Sequence, residues 1–343
     1  MGKVSFVIPV FKVEKYLPEC LDSLLRQKAA EWEAILIDDG SPDGSGAICD
    51  AYAARDKRFC VIHSKNQGVA AARLAGFRKS MGQYVSFIDG DDWIDDNFLS
   101  IINDACLEHQ PDVIVMKKAD SDKGPTETKN YAYRAGFYDR QRLRSEIYPT
   151  LMANPANALS EIPGSLWGKV FHREILEDNI NYVDTTLFMG EDQVWLWPTL
   201  LQANNIVLLN EILYNYRQAD GQATQRYHAN LSDNYLRVIE ILRKMNCEKR
   251  RYSQYDFSEQ IDLMQVQFVI NTIDNEFFPG AEGMIYAYQV IRKFSHSESL
   301  QKVLMKIPLK SFGRRRFWLY FLQRRYDVLL LLLEFINARL RRQ

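Results

Sequence analysis

The spacing of hydrophobic positions alternates between two periods over the first third of the chain. Val4-Ser5-Phe6-Val7-Ile8 is a short, nearly continuous apolar run of the kind a buried strand makes, and Pro9 is expected to end it. Leu17, Cys20, Leu21, Leu24 and Leu25 then recur at i, i+3, i+4, i+7 and i+8, one face of a helix, with Pro18 tolerable only in its first turn. A second strand is predicted over 32–37, stopped by the turn cluster Asp38-Asp39-Gly40-Ser41-Pro42-Asp43-Gly44. A helix over 45–55, a strand over 59–63, an alanine-rich helix over 69–79, a strand over 84–88, a helix over 95–109 and a strand over 112–116 continue the alternation. Repeated strand–helix units predict an α/β fold with a parallel sheet and helices on both faces. Ligands in such sheets bind outside the carboxyl ends of the strands. Three polar clusters fall at those ends, around Asp39, near Asn66 and at Asp89 to Asp92.

Residues 120–130 are polar and predict a loop, and further strands are predicted over 169–171, 206–209 and 212–216. After Gln218 the strand patterns stop. Helical periodicity takes over at 230–249, 258–276, 283–294 and through the remaining residues. A boundary near residue 225 follows, with an α/β unit over 1–225 and a helical region over 226–343.

Composition sharpens this division. The chain is 47% hydrophobic and 25% charged, the balance of a folded protein, which excludes disorder as its main state. Its net charge of −1 conceals a separation. Residues 302–343 carry eleven Lys and Arg against Asp327 and Glu334, a net +9, so the rest of the chain is at −10. The longest apolar run there, residues 328–333, is far short of the roughly 20 residues a membrane span needs. Five dispersed cysteines without a CxxC pair argue against a disulfide scaffold and for a reducing compartment. Residues 1–6 run into a strand pattern without the features of a signal peptide, so a cytoplasmic protein is expected.

Candidate chemistry sits at the strand ends. Asp89-Gly90-Asp91 places two carboxylates one residue apart, which can share a hard cation such as Mg²⁺ or Mn²⁺ together with substrate phosphates. The same residues also suit an acidic turn that simply ends a strand. Asp39 could accept hydrogen bonds from a base or ribose, or belong to a helix cap made by Ser41 and Asp43. Arg73, one turn after Gly68, could reach a diphosphate or be a solvated helix arginine. No glycine-rich phosphate loop or dinucleotide fingerprint is present, which argues against kinases and dehydrogenases.

The order of these pieces resembles the family-2 glycosyltransferases, whose catalytic domain has the GT-A fold. The resemblance rests on residues 5–11, on Asp38-Asp39-Gly40-Ser41, on Asn66-Gln67-Gly68 with Ala72-Arg73, and on Phe87-Ile88-Asp89-Gly90-Asp91-Asp92. It continues at Trp167-Gly168-Lys169-Val170-Phe171, Gly190-Glu191-Asp192 and Tyr214-Asn215-Tyr216-Arg217. The variant is similar to enzymes that assemble bacterial surface polysaccharides. The resemblance implies a metal-dependent inverting transferase that uses a nucleotide-sugar, a UDP-sugar above all, and a glycan or polyprenyl-linked acceptor. It implies that Pro9 and Phe11 line the nucleotide pocket and that Asp39 bonds the base. Asn66, Gly68 and Arg73 would flank the base or diphosphate, and Gly90 would sit between Asp89 and Asp91. Asp89 would face the ribose or the metal's water shell, and Asp91 would ligate Mn²⁺ or Mg²⁺. Asp192 would be the catalytic base, a task for which even an exposed aspartate with an ordinary pKa could serve, with Glu191 orienting it or the acceptor. Arg217 would lie on a segment that closes over the diphosphate.

Departures from the family pattern occur at Lys12 and Leu74, where asparagine is usual, and after Arg217, where only Thr224 offers a hydroxyl. A third metal ligand is unassigned, with His228 the candidate by position. Trp167, Trp195 and Trp197 could stack on sugar rings, but most of them are expected to pack in the core, and Trp93 is expected to shape the acceptor site. Two other classes stay open, a non-catalytic nucleotide-sugar-binding scaffold on the same fold and a metal-dependent nucleotidyltransferase. Clusters such as Arg314-Arg315-Arg316 and Arg324-Arg325, interleaved with Phe317, Trp318, Tyr320 and Phe321, suit the inner face of the cell membrane. The competing reading is packing within the chain or in a homodimer, and nucleic acid fits this leucine-rich pattern poorly.

Overall fold

A computed structural model describes residues 2–28, 31–120, 133–218 and 226–341, with side chains described through residue 338. The expected polar loop, apart from Asp120, and the segment from Asp220 to Thr224 lie outside the described residues. The elements run in the order β1 (Val4–Val10), α1 (Leu17–Leu25), β2 (Trp32–Asp38), α2 (Ser45–Arg55), β3 (Phe59–His63), α3 (Val69–Lys79), β4 (Tyr84–Phe87), β5 (Trp93–Ile94), α4 (Phe98–His109) and β6 (Val113–Asp120). There follow β7 (Gly136–Asp139), α5 (Arg140–Arg142), β8 (Lys169–His172), α6 (Arg173–Glu177), α7 (Glu191–Gln202) and β9 (Asn205–Tyr216). The remaining helices are α8 (Leu231–Ser253), α9 (Ser258–Asn275), α10 (Met284–Ser295), α11 (Glu298–Lys306), α12 (Arg315–Gln323) and α13 (Asp327–Arg341).

Among the described residues, nine strands form one sheet in the order β3-β2-β1-β4-β8-β6-β9-β5, with β7 also paired to β9. One half matches the parallel expectation, because β1 pairs in parallel with β2 and β4, and β2 with β3. The other half corrects it. β8 runs antiparallel to both β4 and β6, and β5 and β7 run antiparallel to β9. A helical crossover is what enforces parallel pairing, and β8 enters after a long excursion that imposes no such direction. The two strands expected over 206–209 and 212–216 are one strand, β9, whose pairing with β6 shifts register between Val115 and Lys118.

β1 also runs through Pro9 rather than ending at it. The Val7 carbonyl accepts a bond from Ile88 N–H on the β4 side. Pro9, two residues on, faces the same side beyond Phe87, the last paired residue of β4, so its missing N–H breaks no ladder bond. Val4, Phe6, Ile8 and Val10 pack on Leu17, Leu21 and Leu24 of α1 and on Phe98 and Ile102 of α4. Val7, on the opposite face of the strand, is equally buried, as expected of a strand covered on both sides.

The chain forms two compact units. One comprises Met1–Ile147, Gly164–Ala219 and Arg251–Gln254; the other comprises Tyr148–Pro163, Asp220–Arg250 and Tyr255–Gln343. The first contains the whole sheet with α1 to α7. The second is helical, and within it Tyr235 of α8 stacks on Phe268 of α9 at 4.2 Å between ring centroids. Leu242, Ile261, Ile273, Ile291, Leu304, Trp318 and Leu319 are buried in this unit.

Candidate active site

The carboxyl ends of β1, β2 and β4 lie side by side in the parallel half of the sheet. At the end of β2, Asp39 is buried and its carboxylate accepts bonds from Gln67 N–H (2.9 Å), Gly68 N–H (2.8 Å) and Ser64 Oγ (3.1 Å). Both oxygens therefore hold the 64–68 loop against the strand end. Gly68 is the residue before α3, and Asn66 is exposed in the same loop. Phe11 follows β1 with its ring 41% exposed, an apolar surface that no core contact requires.

Arg73 projects from α3 and is the hub of the site. Its side chain is only 5% exposed, which removes the solvated-arginine reading. Nη2 donates to Asp89 Oδ1 at 2.7 Å, and Nη1 donates to Asp192 Oδ1 at 2.5 Å and Glu191 Oε1 at 3.2 Å. Gly190, at φ +79, turns the chain into α7, which puts Glu191 and Asp192 in its first turn. Carboxylates are favoured there by the helix dipole, and the left-handed turn favours glycine. Asp192 Oδ2 also accepts from Leu166 N–H at 2.9 Å, so both of its oxygens are fixed.

One guanidinium cannot neutralise three carboxylates. Burial opposes the charge of Arg73, but Asp192, Asp89 and Glu191 together raise its pKa and keep it protonated. Burial, with Asp192 beside it, pushes Glu191 up to about 7. Burial also raises Asp192, against the pull of Arg73. An exposed aspartate with an ordinary pKa could serve as the base, but Asp192 is neither, since the polar Gly190-Glu191-Asp192-Gln193 run is folded under Arg73. Lys169 on β8 is buried nearby and donates to the Ser165 carbonyl at 2.7 Å. Burial lowers its pKa to about 7, with Asp192 opposing.

The acidic turn after β4 is built more tightly. A Cβ on Gly90 would lie 3.2 Å from the Pro9 carbonyl oxygen and 3.1 Å from Val13, so glycine lets the turn sit against β1. Asp92 is buried, accepts from Tyr214 Oη (2.6 Å) and Arg217 N–H (2.8 Å), and is raised to about 8 by burial and by its acidic neighbours. Tyr214 Oη in turn accepts from Asp89 N–H at 3.2 Å. Asp91 differs, because among the described residues no side chain hydrogen-bonds or ion-pairs with its carboxylate. Burial and Asp89 push it up to about 6, and Arg217 pulls the other way. Arg217 donates from Nε to the Asp91 carbonyl (2.9 Å) and from Nη2 to Glu19 (2.5 Å), and lies over the rings of Tyr16 and Trp93.

Sequence reasoning assigned no task to Tyr214, Lys169, Glu19 or the Leu166 N–H. Tyr214 and Lys169 lie inside quoted motifs, and their burial on paired strands was the available signal. Trp195 and Trp197 are core residues, while Trp167 stacks on Tyr214 and Tyr216. His228 belongs to the second unit, where its N–H and carbonyl bond Asn275. No cluster of three His, Cys, Asp or Glu able to hold a metal ion occurs among the described residues. The donor chemistry of the turn nevertheless fits a hard cation. It offers carboxylate oxygens only, and Asp91 is half-buried with no counter-charge in hydrogen-bond contact with its carboxylate among the described residues.

Known proteins resemble this chain in sequence and in fold. The family described as Glycosyl transferase family 2 matches residues 5–162. EpsH of Bacillus subtilis (strain 168), named as a glycosyltransferase, is 30% identical over 261 residues, covering 74% of this chain and 71% of EpsH. The uncharacterized glycosyltransferase EpsJ of the same organism is 29% identical over 246 residues, and the match spans 68% of this chain and 66% of EpsJ. The crystal structure of Staphylococcus aureus TarS 1-349 in complex with UDP-GlcNAc superposes with a TM-score of 0.65 at 20% identity, covering 98% of this chain and 92% of that one. That likeness shows the fold, a GT-A-like α/β unit with a helical C-terminal region.

Proposed function

The chain belongs to glycosyl transferase family 2, and on that premise we propose that residues 1–225 move a sugar, with inversion, from a nucleotide-sugar to a glycan or lipid-linked glycan acceptor. The observation that carries this reading is the convergence of Asp89, Glu191 and Asp192 on Arg73, beside the Asp91 carboxylate, which has no side-chain partner among the described residues. A UDP-sugar donor is favoured because the TarS structure that shares the fold was solved with UDP-GlcNAc.

Asp192 acts as the general base. It takes the proton of the acceptor hydroxyl as that oxygen attacks the anomeric carbon, and the nucleoside diphosphate departs from the opposite face. Arg73 and the Leu166 N–H hold the carboxylate in one orientation. Its raised pKa makes it a stronger base than an exposed aspartate, and Glu191, close to neutrality, shares the proton load. Phe11 offers a face to the nucleobase, and Asp39 shapes the 64–68 loop that borders it. Arg217, stacked on Tyr16 and Trp93, covers the acidic turn. Asp91 and Asp89 would hold Mn²⁺ or Mg²⁺, which when bound offsets charge on the departing diphosphate.

Calorimetry of donor binding with and without Mn²⁺, paired with a transfer assay, separates these roles. Asp192→Asn is expected to lose about 10²- to 10⁴-fold in turnover while donor affinity is kept. Asp91→Asn is expected to lose the metal-dependent part of donor binding. Normal turnover by Asp192→Asn would overturn the assignment of the base. Release of pyrophosphate from a nucleoside triphosphate and a sugar phosphate would identify a nucleotidyltransferase instead.

A further inference from the structure

Helices α12 and α13 sort charge by side. The two acidic residues of residues 302–343 are buried. Glu334 is 1% exposed and accepts from Arg315 at 2.8 Å, while Arg315 also bridges Asp274. Asp327 is 8% exposed, with its carboxylate 3.7 Å from His296 Nδ1. The other arginines with described side chains in this pair of helices and its flanks face out. Arg314, Arg316, Arg324 and Arg325 are exposed, and among the described residues none of the four has an acidic partner. The exposed sides of the same helices carry Phe317, Tyr320, Val328, Leu329, Leu332 and Ile336, each 44–61% exposed. On α13 the spacing 328, 332, 336 sets these side chains along one side of the helix.

We infer that the exposed side of α12 and α13 seats on an anionic lipid surface. Three occupants compete for such a side, and charge decides between them. A second copy of this chain would bring the same four unpaired arginines against their counterparts. A nucleic acid would satisfy the arginines and leave the aliphatic row of α13 in water. The interface of an anionic bilayer supplies both partners, phosphate charge at the headgroups and hydrocarbon a few ångströms deeper. Arginine and aromatic side chains suit that boundary because each has an apolar body and a polar or charged end. No helix among the described residues is long and apolar enough to cross a membrane, so the contact lies in the plane of the interface. This inference is independent of the donor and base assignments.

Vesicle co-sedimentation of the full chain tests it, using phosphatidylcholine vesicles with and without phosphatidylglycerol. Binding is expected to the anionic vesicles, to weaken with salt, and to be much poorer to the neutral ones. The double variant Arg324→Gln with Arg325→Gln should lower the partition coefficient roughly thirtyfold, given the attraction each basic residue near such a surface contributes. The apolar variant Leu329→Ser with Leu332→Ser should lower it while leaving the salt dependence in place. Both change exposed side chains, and an unchanged melting temperature shows that the fold survives. Failure of the parent chain to bind anionic vesicles would overturn the inference, as would binding indifferent to both variants. A concentration-dependent dimer abolished by the apolar variant, or tighter binding to a duplex oligonucleotide than to vesicles, would also overturn it.

Discussion

The two units treat charge in opposite ways. In the sheet unit, Arg73, Asp192, Glu191 and Lys169 are withdrawn from water, and the pKa values of Glu191 and Lys169 are drawn toward neutrality from opposite directions. In the helical unit the buried acid Glu334 is held by Arg315, while Arg314, Arg316, Arg324 and Arg325 stand in solvent with no acidic partner among the described residues. The difference teaches that burial creates reactivity in one unit and surface character in the other. A buried ionic hub is also costly to break, because each removed partner strands a desolvated charge. An exposed arginine can be lost with little consequence for the fold.

Substitutions ordered by size test that contrast. The largest effect is expected from Arg73→Ala, which leaves three carboxylates facing one another and should destabilise the fold by about 3–5 kcal/mol, read by urea unfolding. Little change in stability would mean that the carboxylates simply protonate or rehydrate, and the hub would lose its structural meaning. Tyr214→Phe comes next. It removes the acceptor for Asp89 N–H and the donor to Asp92, and about 1–3 kcal/mol should be lost. At the other end, Arg324→Ala should change stability by no more than about 0.5 kcal/mol.

A pH series sharpens the comparison without mutation. Glu191 binds its proton more tightly when folded, at about 7 against about 4.3 unfolded, so its contribution to stability is complete at low pH and is lost as pH rises through about 7. Lys169 has the opposite sign. Its pKa falls to about 7 from about 10.4 unfolded, so it destabilises below about 7 and that penalty fades as pH rises toward about 10.4. Together they predict a local minimum in stability near neutral pH, where thermal melts across pH 4–11 would show it. Replacing Glu191 by Gln should flatten the acid-side slope only. Transfer activity should instead rise through neutrality as the acidic cluster loses its protons.

Much of the sheet unit was legible because its signals are local. The period change from 3.6 to 2 marks α1, α2, α3 and the first three strands almost to the residue. Strand direction was not, because nothing in Lys169-Val170-Phe171 states whether β8 returns parallel or antiparallel after its long excursion. The DGDD turn and the Glu191-Asp192 pair were visible as motifs, but their meeting on Arg73 spans 119 positions and has no periodic signature. Burial of Asp192 was hidden for the same reason, since its sequence neighbours are polar and only tertiary structure encloses them. In α13 the converse holds. The apolar run 328–333 left an interfacial side and a packed side open, and half of it is exposed, because the buried side of the helix is narrower than its hydrophobic composition.

The Leu166 N–H that holds Asp192 belongs to the backbone, and no side-chain replacement other than proline can delete it. One half of the orientation of Asp192 is thus insulated from genetic drift at position 166, whereas the other half hangs on a single codon, that of Arg73. Variation among related chains should therefore be lopsided around this carboxylate, broad among apolar residues at 166 and narrow at 73.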